Sequence, residues 1–128
     1  MNRPTLHLPT AHIVLSGFMG VGKSTVARYL AERTRRPCVD MDQVIEARAG
    51  QSIRRIFAER GEPAFRALEA ELVRELAGQE GLVIAAGGGA LVDPANRAAL
   101  AERSVMVCLH ADVTELQRRL ADSHDGAR

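Results

Sequence analysis

Gly17-Phe18-Met19-Gly20-Val21-Gly22-Lys23-Ser24 follows the pattern G-x-x-x-x-G-K-S/T without a mismatch. Glycines at these positions let the backbone wrap closely enough for successive N–H groups to converge on phosphate oxygens. Lys23 supplies a compact point charge for the β- and γ-phosphates, and the Ser24 hydroxyl supplies a ligand for Mg²⁺. The chain has 17 lysines and arginines together, and Lys23 is the only lysine. Arginine's planar fork is bulkier and seeks bidentate partners, so it does not replace an ammonium inside a tight loop. The exception to an arginine-biased composition falls where geometry excludes arginine.

The acids that could serve this loop are Asp40 and Asp42, at the end of the apolar run in "PCVDMD". In extended chain, residues two apart point to the same side, so both carboxylates are expected to face the loop mouth. One would serve the metal and the other an acceptor hydroxyl. A plainer reading makes Asp42 the N-cap of a helix "QVIEARA", and the two roles are compatible. The other candidate strand, "LVIAA", ends in Gly87-Gly88-Gly89 with no acid to hold a metal. The guanine-reading N-K-x-D is excluded because Asn2 and Asn96 are the only asparagines.

In "EPAFRALEAELVREL", helical steps of about 100° place Glu69 inside the stripe of Phe65, Leu68, Leu72, Val73 and Leu76, with Arg66 at its edge. A carboxylate there needs a partner, and Arg66 lies three residues earlier. Either the two form a surface pair beside a misjudged stripe, or Glu69 orients Arg66 to clamp an anionic group bidentately. Three glycines after a buried strand are either a flexible turn or a place where backbone N–H groups closely approach a ligand. Their conformational cost favours the second.

The elements that must carry these groups alternate. "HIVLSG", "PCVDMD", "GLVIAAGGGA" and "SVMVCLH" read as strands. "KSTVARYLAERTR", "DQVIEARAG", "QSIRRIFAERG", "EPAFRALEAELVRELAG", "DPANRAALAER" and "DVTELQRRLADS" read as helices, with Asp93 and Asp112 as N-caps and Gly50, Gly61 and Gly78 as stops. Continuous apolar strands between helices predict an α/β fold with a parallel sheet covered on both faces and the site at the strands' C-terminal ends. Residues 1–10 read as a flexible leader and 11–128 as one domain, since 128 residues suit a single core. A net charge of +1 with interleaved signs indicates neither a nucleic-acid footprint nor a membrane-binding face. No apolar run reaches the ~20 residues of a membrane span. Cys38 and Cys108 read as small core residues of a reducing, cytoplasmic compartment, and four scattered histidines give zinc no support.

The stretches "GFMGVGKST", "VDMDQVIE", "SIRRIFAERGEPAFRALE" and "VIAAGGGA", in this order and spacing over residues 12 to about 110, resemble the shikimate kinase family of nucleoside-monophosphate-kinase-like P-loop enzymes. The resemblance implies a three-layer α/β/α fold and ATP-dependent phosphorylation of the 3-hydroxyl of shikimate, in aromatic amino-acid biosynthesis. It implies that Gly20, Val21, Gly22, Lys23, Ser24 and Thr25 hold ATP, that Ser24 and Asp40 serve Mg²⁺, and that Asp42 contacts the shikimate hydroxyls as the base. It implies that Arg66 and Gly88 hold the shikimate carboxylate, with Glu69 steadying Arg66, and Gly87 and Gly89 beside Gly88 are candidate substrate-binding residues with it. Arg119 and Arg128 fall near the family's two nucleotide-contacting lid arginines, at a slightly long spacing. Ala86 stands where the family commonly has Thr or Ser. Family chains continue through the lid to a fifth strand and further contacts that do not precede Arg128, so a monomer truncated within the lid, or part of a longer or fused polypeptide, is expected, and residues 1–128 alone are expected to be a weak kinase. A gluconate kinase-like enzyme shares the loop but needs less of the carboxylate clamp, and a non-catalytic sensor domain would not need Lys23, Ser24, Asp40 and Asp42 together.

Overall fold

The computed structural model describes residues 10–17, 22–87 and 89–109. The order is β1 (His12–Gly17), α1 (Lys23–Thr34), β2 (Cys38–Asp40), α2 (Met41–Ala49), α3 (Ile53–Arg60), α4 (Glu62–Ala77), β3 (Val83–Ala85), α5 (Pro94–Ala101) and β4 (Ser104–Leu109). The four strands form one parallel sheet in the order β2-β3-β1-β4. This is the α/β arrangement the alternation of elements predicts. The helix expected around Asp112 lies outside the described residues, as does the leader apart from Thr10.

Alternation along the strands divides the interior in two, because successive side chains point to opposite faces. Val14 and Ile84 face one side, with Met41 and Ile45 of α2, Ile56 of α3, Phe65, Leu72, Val73 and Leu76 of α4, and Leu100 of α5. Leu15, Val83 and Ala85 face the other, against Ala27 and Ala31 of α1. The sheet is thus the middle of three layers. The stripe predicted on α4 is buried along Phe65, Leu72, Val73 and Leu76, with Leu68 half-buried. His12 of β1 ties α4 to the residue that precedes β3. Its Nε2 lies 2.9 Å from the Leu76 carbonyl, and its Nδ1 accepts from the Leu82 N–H at 3.1 Å. A carbonyl only accepts and an amide N–H only donates, so the ring is the Nε2–H tautomer.

Two expectations are corrected. Cys38 and Cys108 are exposed and unpaired, not core residues. Apolar runs imply full burial only for central strands, and these cysteines sit on β2 and β4, the two ends of the sheet. Second, β2 stops at Asp40, and Asp42 lies in the first turn of α2. Asp40 is the N-cap, its carboxylate accepting from the Gln43 N–H at 3.2 Å. That bond satisfies an otherwise open helix donor and turns the chain at Met41, whose side chain is fully buried. The extended-chain argument for Asp42 therefore fails, although Asp42 still reaches the same mouth from the helix.

Candidate active site

The parallel register sets Leu15, Asp40 and Ala85 level with one another, so Gly17, Asp42 and Gly87 all emerge at one edge of the sheet. This is the edge where open α/β sheets bind ligands. Gly22 has a left-handed backbone, φ 79°, and no side chain caps α1 behind it. Among the described residues no side chain accepts from the first N–H groups of α1, which suits an anion-binding helix start. Phe18 to Val21, including Gly20 and Val21, lie outside the described residues.

Lys23 opens α1, and its Nζ donates to the Gly17 carbonyl at 3.1 Å. Partial burial lowers its pKa, while Asp42 and Asp40 act to raise it. The ammonium is thus held at the end of β1, within the field of both carboxylates. Ser24 follows, its hydroxyl donating to Asp40 Oδ2 at 2.8 Å, and Thr25 is exposed. Two hard oxygens side by side suit an oxygen-preferring cation that keeps much of its shell as water and phosphate. Among the described residues no cluster of three or more His, Cys, Asp or Glu offers a richer cage. The donor chemistry therefore fits Mg²⁺ held by Ser24 and Asp40 together with a nucleotide.

Across the mouth stand Asp42, Glu69 and Arg66. Burial raises the Asp42 pKa, Asp40 adds to this, and Lys23 opposes it. Arg66 donates from Nη1 to Glu69 Oε1 at 2.9 Å and from Nε to Glu62 Oε2 at 3.4 Å. Glu69 is 1% exposed, which excludes the reading of a surface pair. Burial raises its pKa against the pull of Arg66, and among the described residues its Oε2 has no hydrogen-bond partner.

The outer glycines lie against these groups. A β-carbon on Gly87 would come 2.6 Å from Asp42 Oδ1 and 3.3 Å from Glu69 Oε2, and one on Gly89 would come 2.5 Å from Arg66 Nη1. Gly88 lies outside the described residues, as do Arg119 and Arg128. Ala86 is fully buried in the core on the α4 side, its N–H bonded to the Leu15 carbonyl.

Sequence reasoning missed the floor beneath Arg66. Phe57 of α3 and Phe65 of α4 meet at 4.9 Å between ring centroids, and the Arg66 guanidinium lies 5.3 Å from the Phe65 centroid. Phe57 remains 37% exposed. A phenylalanine on the helix before the arginine was the available signal, but its pairing depends on Gly61. At φ 88°, Gly61 ends α3 and starts α4 in a single residue, folding the two helices back on one another.

A shikimate kinase family profile matches residues 19–128. The shikimate kinase of Geobacter metallireducens is 44% identical over 98% of this chain and 71% of its own length. The chain belongs to the shikimate kinase family. The Caulobacter vibrioides shikimate kinase is 50% identical over 85% of the chain and 54% of its own length. A solved structure of the Acinetobacter baumannii shikimate kinase in complex with shikimate matches with a TM-score of 0.78 and 41% identity, covering 88% of this chain and 62% of that one. A gluconokinase from Sinorhizobium meliloti, at 22% identity and a TM-score of 0.54, shares the fold alone. The chain thus spans between 54% and 71% of these shikimate kinases.

Proposed function

We propose that this chain carries the nucleotide- and acceptor-binding half of a kinase that transfers the γ-phosphoryl group of ATP to the 3-hydroxyl of shikimate. The observation that carries the reading is the Arg66 guanidinium, held by a buried carboxylate and laid against Gly89, on the same mouth as Lys23, Ser24, Asp40 and Asp42. A cationic fork beside a carboxylate suits a small acceptor bearing both an anionic group and hydroxyls. The shikimate complex of the Acinetobacter relative and the identities above support shikimate as that acceptor.

Phosphoryl transfer needs positioning and charge neutralisation more than covalent chemistry. In this reading the loop from Gly20 to Thr25 holds the ATP phosphates, with Lys23 leaving the Gly17 carbonyl for the β- and γ-oxygens. Ser24 and Asp40 hold Mg²⁺, which when bound neutralises phosphate charge. Asp42 accepts the proton of the attacking hydroxyl, and its raised pKa suits a base that works near neutral pH. Arg66, steadied by Glu69, holds the carboxylate together with backbone of the Gly87–Gly89 run. Arg119 and Arg128 are assigned to the nucleotide on the family resemblance. Two exposed free thiols fit a cytoplasmic enzyme, and we assign it as a monomer within residues 11–128.

A coupled ADP-release assay of the polypeptide carrying this chain tests the reading. Turnover is expected with shikimate and not with gluconate. Preference for gluconate, or ATP binding without transfer to either, would overturn it.

A further inference from the structure

A glycine run offers exposed N–H groups, and its outer members have a second part here. The carboxylate of Asp42 and the guanidinium of Arg66 each rest on a bare α-carbon. A β-carbon on Gly87 would stand 2.6 Å from Asp42 Oδ1, 3.5 Å from Asp42 Cγ and 3.3 Å from Glu69 Oε2. One on Gly89 would stand 2.5, 2.6 and 2.8 Å from Arg66 Nη1, Nη2 and Cζ. Neither glycine is required by a left-handed backbone, since the positive-φ glycines among the described residues are Gly17, Gly22, Gly50, Gly61 and Gly81. What these two positions require is room, and the room is taken by two functional side chains.

We infer that Gly87 and Gly89 are positioning residues, bare stops against which the Asp42 carboxylate and the Arg66 guanidinium are seated. Two α-carbons two residues apart are separated by no more than ~7 Å. The spacing of Gly87 and Gly89 therefore gauges the distance between the carboxylate and the guanidinium. That gauge selects an acceptor whose reacting hydroxyl and anionic group lie on opposite sides of one small ring. The inference rests on the function proposed above and adds which residues fix its dimensions.

The two stops have separable consequences. Asp42 has a short side chain on the first turn of α2, so a methyl on Gly87 swings the carboxylate off the reacting hydroxyl. Arg66 is long, so a methyl on Gly89 displaces only its far end and weakens the hold on the anion. In steady-state assays with shikimate, Gly87→Ala is expected to lower kcat about tenfold or more with KM changed less than about threefold, and Gly89→Ala to show the reverse. Double-mutant cycles separate seating from general packing. Gly89→Ala should have less than about a twofold further effect on kcat/KM in an Arg66→Ala background, and Gly87→Ala likewise in Asp42→Ala. Melting temperatures carry the same test without turnover, because the loss from Gly89→Ala should disappear once Arg66 is truncated. If Gly87→Ala fails to fold, the Gly89–Arg66 cycle decides alone.

Losses that stay additive in the truncated backgrounds, or an identical kinetic effect of both alanines, would overturn the inference. A wild-type protein that phosphorylates another acceptor would instead overturn the proposed substrate, and the same split is then read on that acceptor.

Discussion

Replacing Glu69 with glutamine keeps the shape of the side chain and removes its charge, so it separates holding Arg66 from holding the fold. A charge-assisted hydrogen bond contributes about 1.5–3 kcal/mol when shielded. Arg66 is 40% exposed, which reduces the expected loss to roughly 1 kcal/mol. Glu62 at 3.4 Å on an exposed flank cannot restore the orientation. A loss of about 1 kcal/mol is about fivefold in affinity, so the KM for shikimate should rise about fivefold while kcat stays within about twofold. Stability should move the other way from intuition. The carboxylate is 1% exposed, and one oxygen has no partner among the described residues, so its desolvation offsets most of the ion pair, and the variant should lie within about 1 kcal/mol of wild type.

The pH dependence gives a second readout. Burial raises the Glu69 pKa from its ordinary 4.5, so just above that value the folded state binds more protons than the unfolded chain. Wild-type stability should therefore fall as pH rises through the window that begins there. Glu69→Gln should flatten the slope, leaving a residue of the same sign from Asp42, whose pKa is also raised. Urea midpoints measured from pH 4.5 to 7, beside steady-state kinetics, check both parts. An unchanged KM, or identical pH slopes for the two proteins, would refute the reasoning.

Lys23→Ala should reduce turnover by orders of magnitude with the far-ultraviolet spectrum and melting temperature preserved, because among the described residues the hydrogen bond Nζ makes is to the Gly17 carbonyl, at 3.1 Å. Asp42→Asn should lower kcat at least about a hundredfold while ATP binding is retained, as removal of a general base does. Near-normal kcat would exclude that role. Asp40→Ala should cost about 1 kcal/mol in urea denaturation through loss of the α2 cap, and Asp40→Asn much less, since asparagine also caps. Both should raise the Mg²⁺ concentration needed for half-maximal rate.

Local rules reached a long way into this chain. Apolar runs, caps and stops marked all nine described elements because propensity and burial agree there: Asp93 caps α5 and Pro94 opens it, and Gly50 closes α2. The G-x-x-x-x-G-K-S spacing is itself a geometric statement, since the glycines, the ammonium and the hydroxyl lie within one turn and need no distant partner. The i,i+3 relation of Arg66 and Glu69 was legible for the same reason. Other features depend on residues far apart in sequence. Whether a strand is central or at an edge is set by pairing order, and that order exposed Cys38 and Cys108. Where β2 yields to α2 depended on which of two aspartates became the N-cap, and Asp40 holds that place through the Gln43 N–H. The seating of Asp42 on Gly87 and of Arg66 on Gly89 joins α2, α4 and the end of β3 across more than twenty residues of chain. Spacing in sequence constrains contacts within a turn of helix, whereas packing of separate elements on a sheet creates those between them.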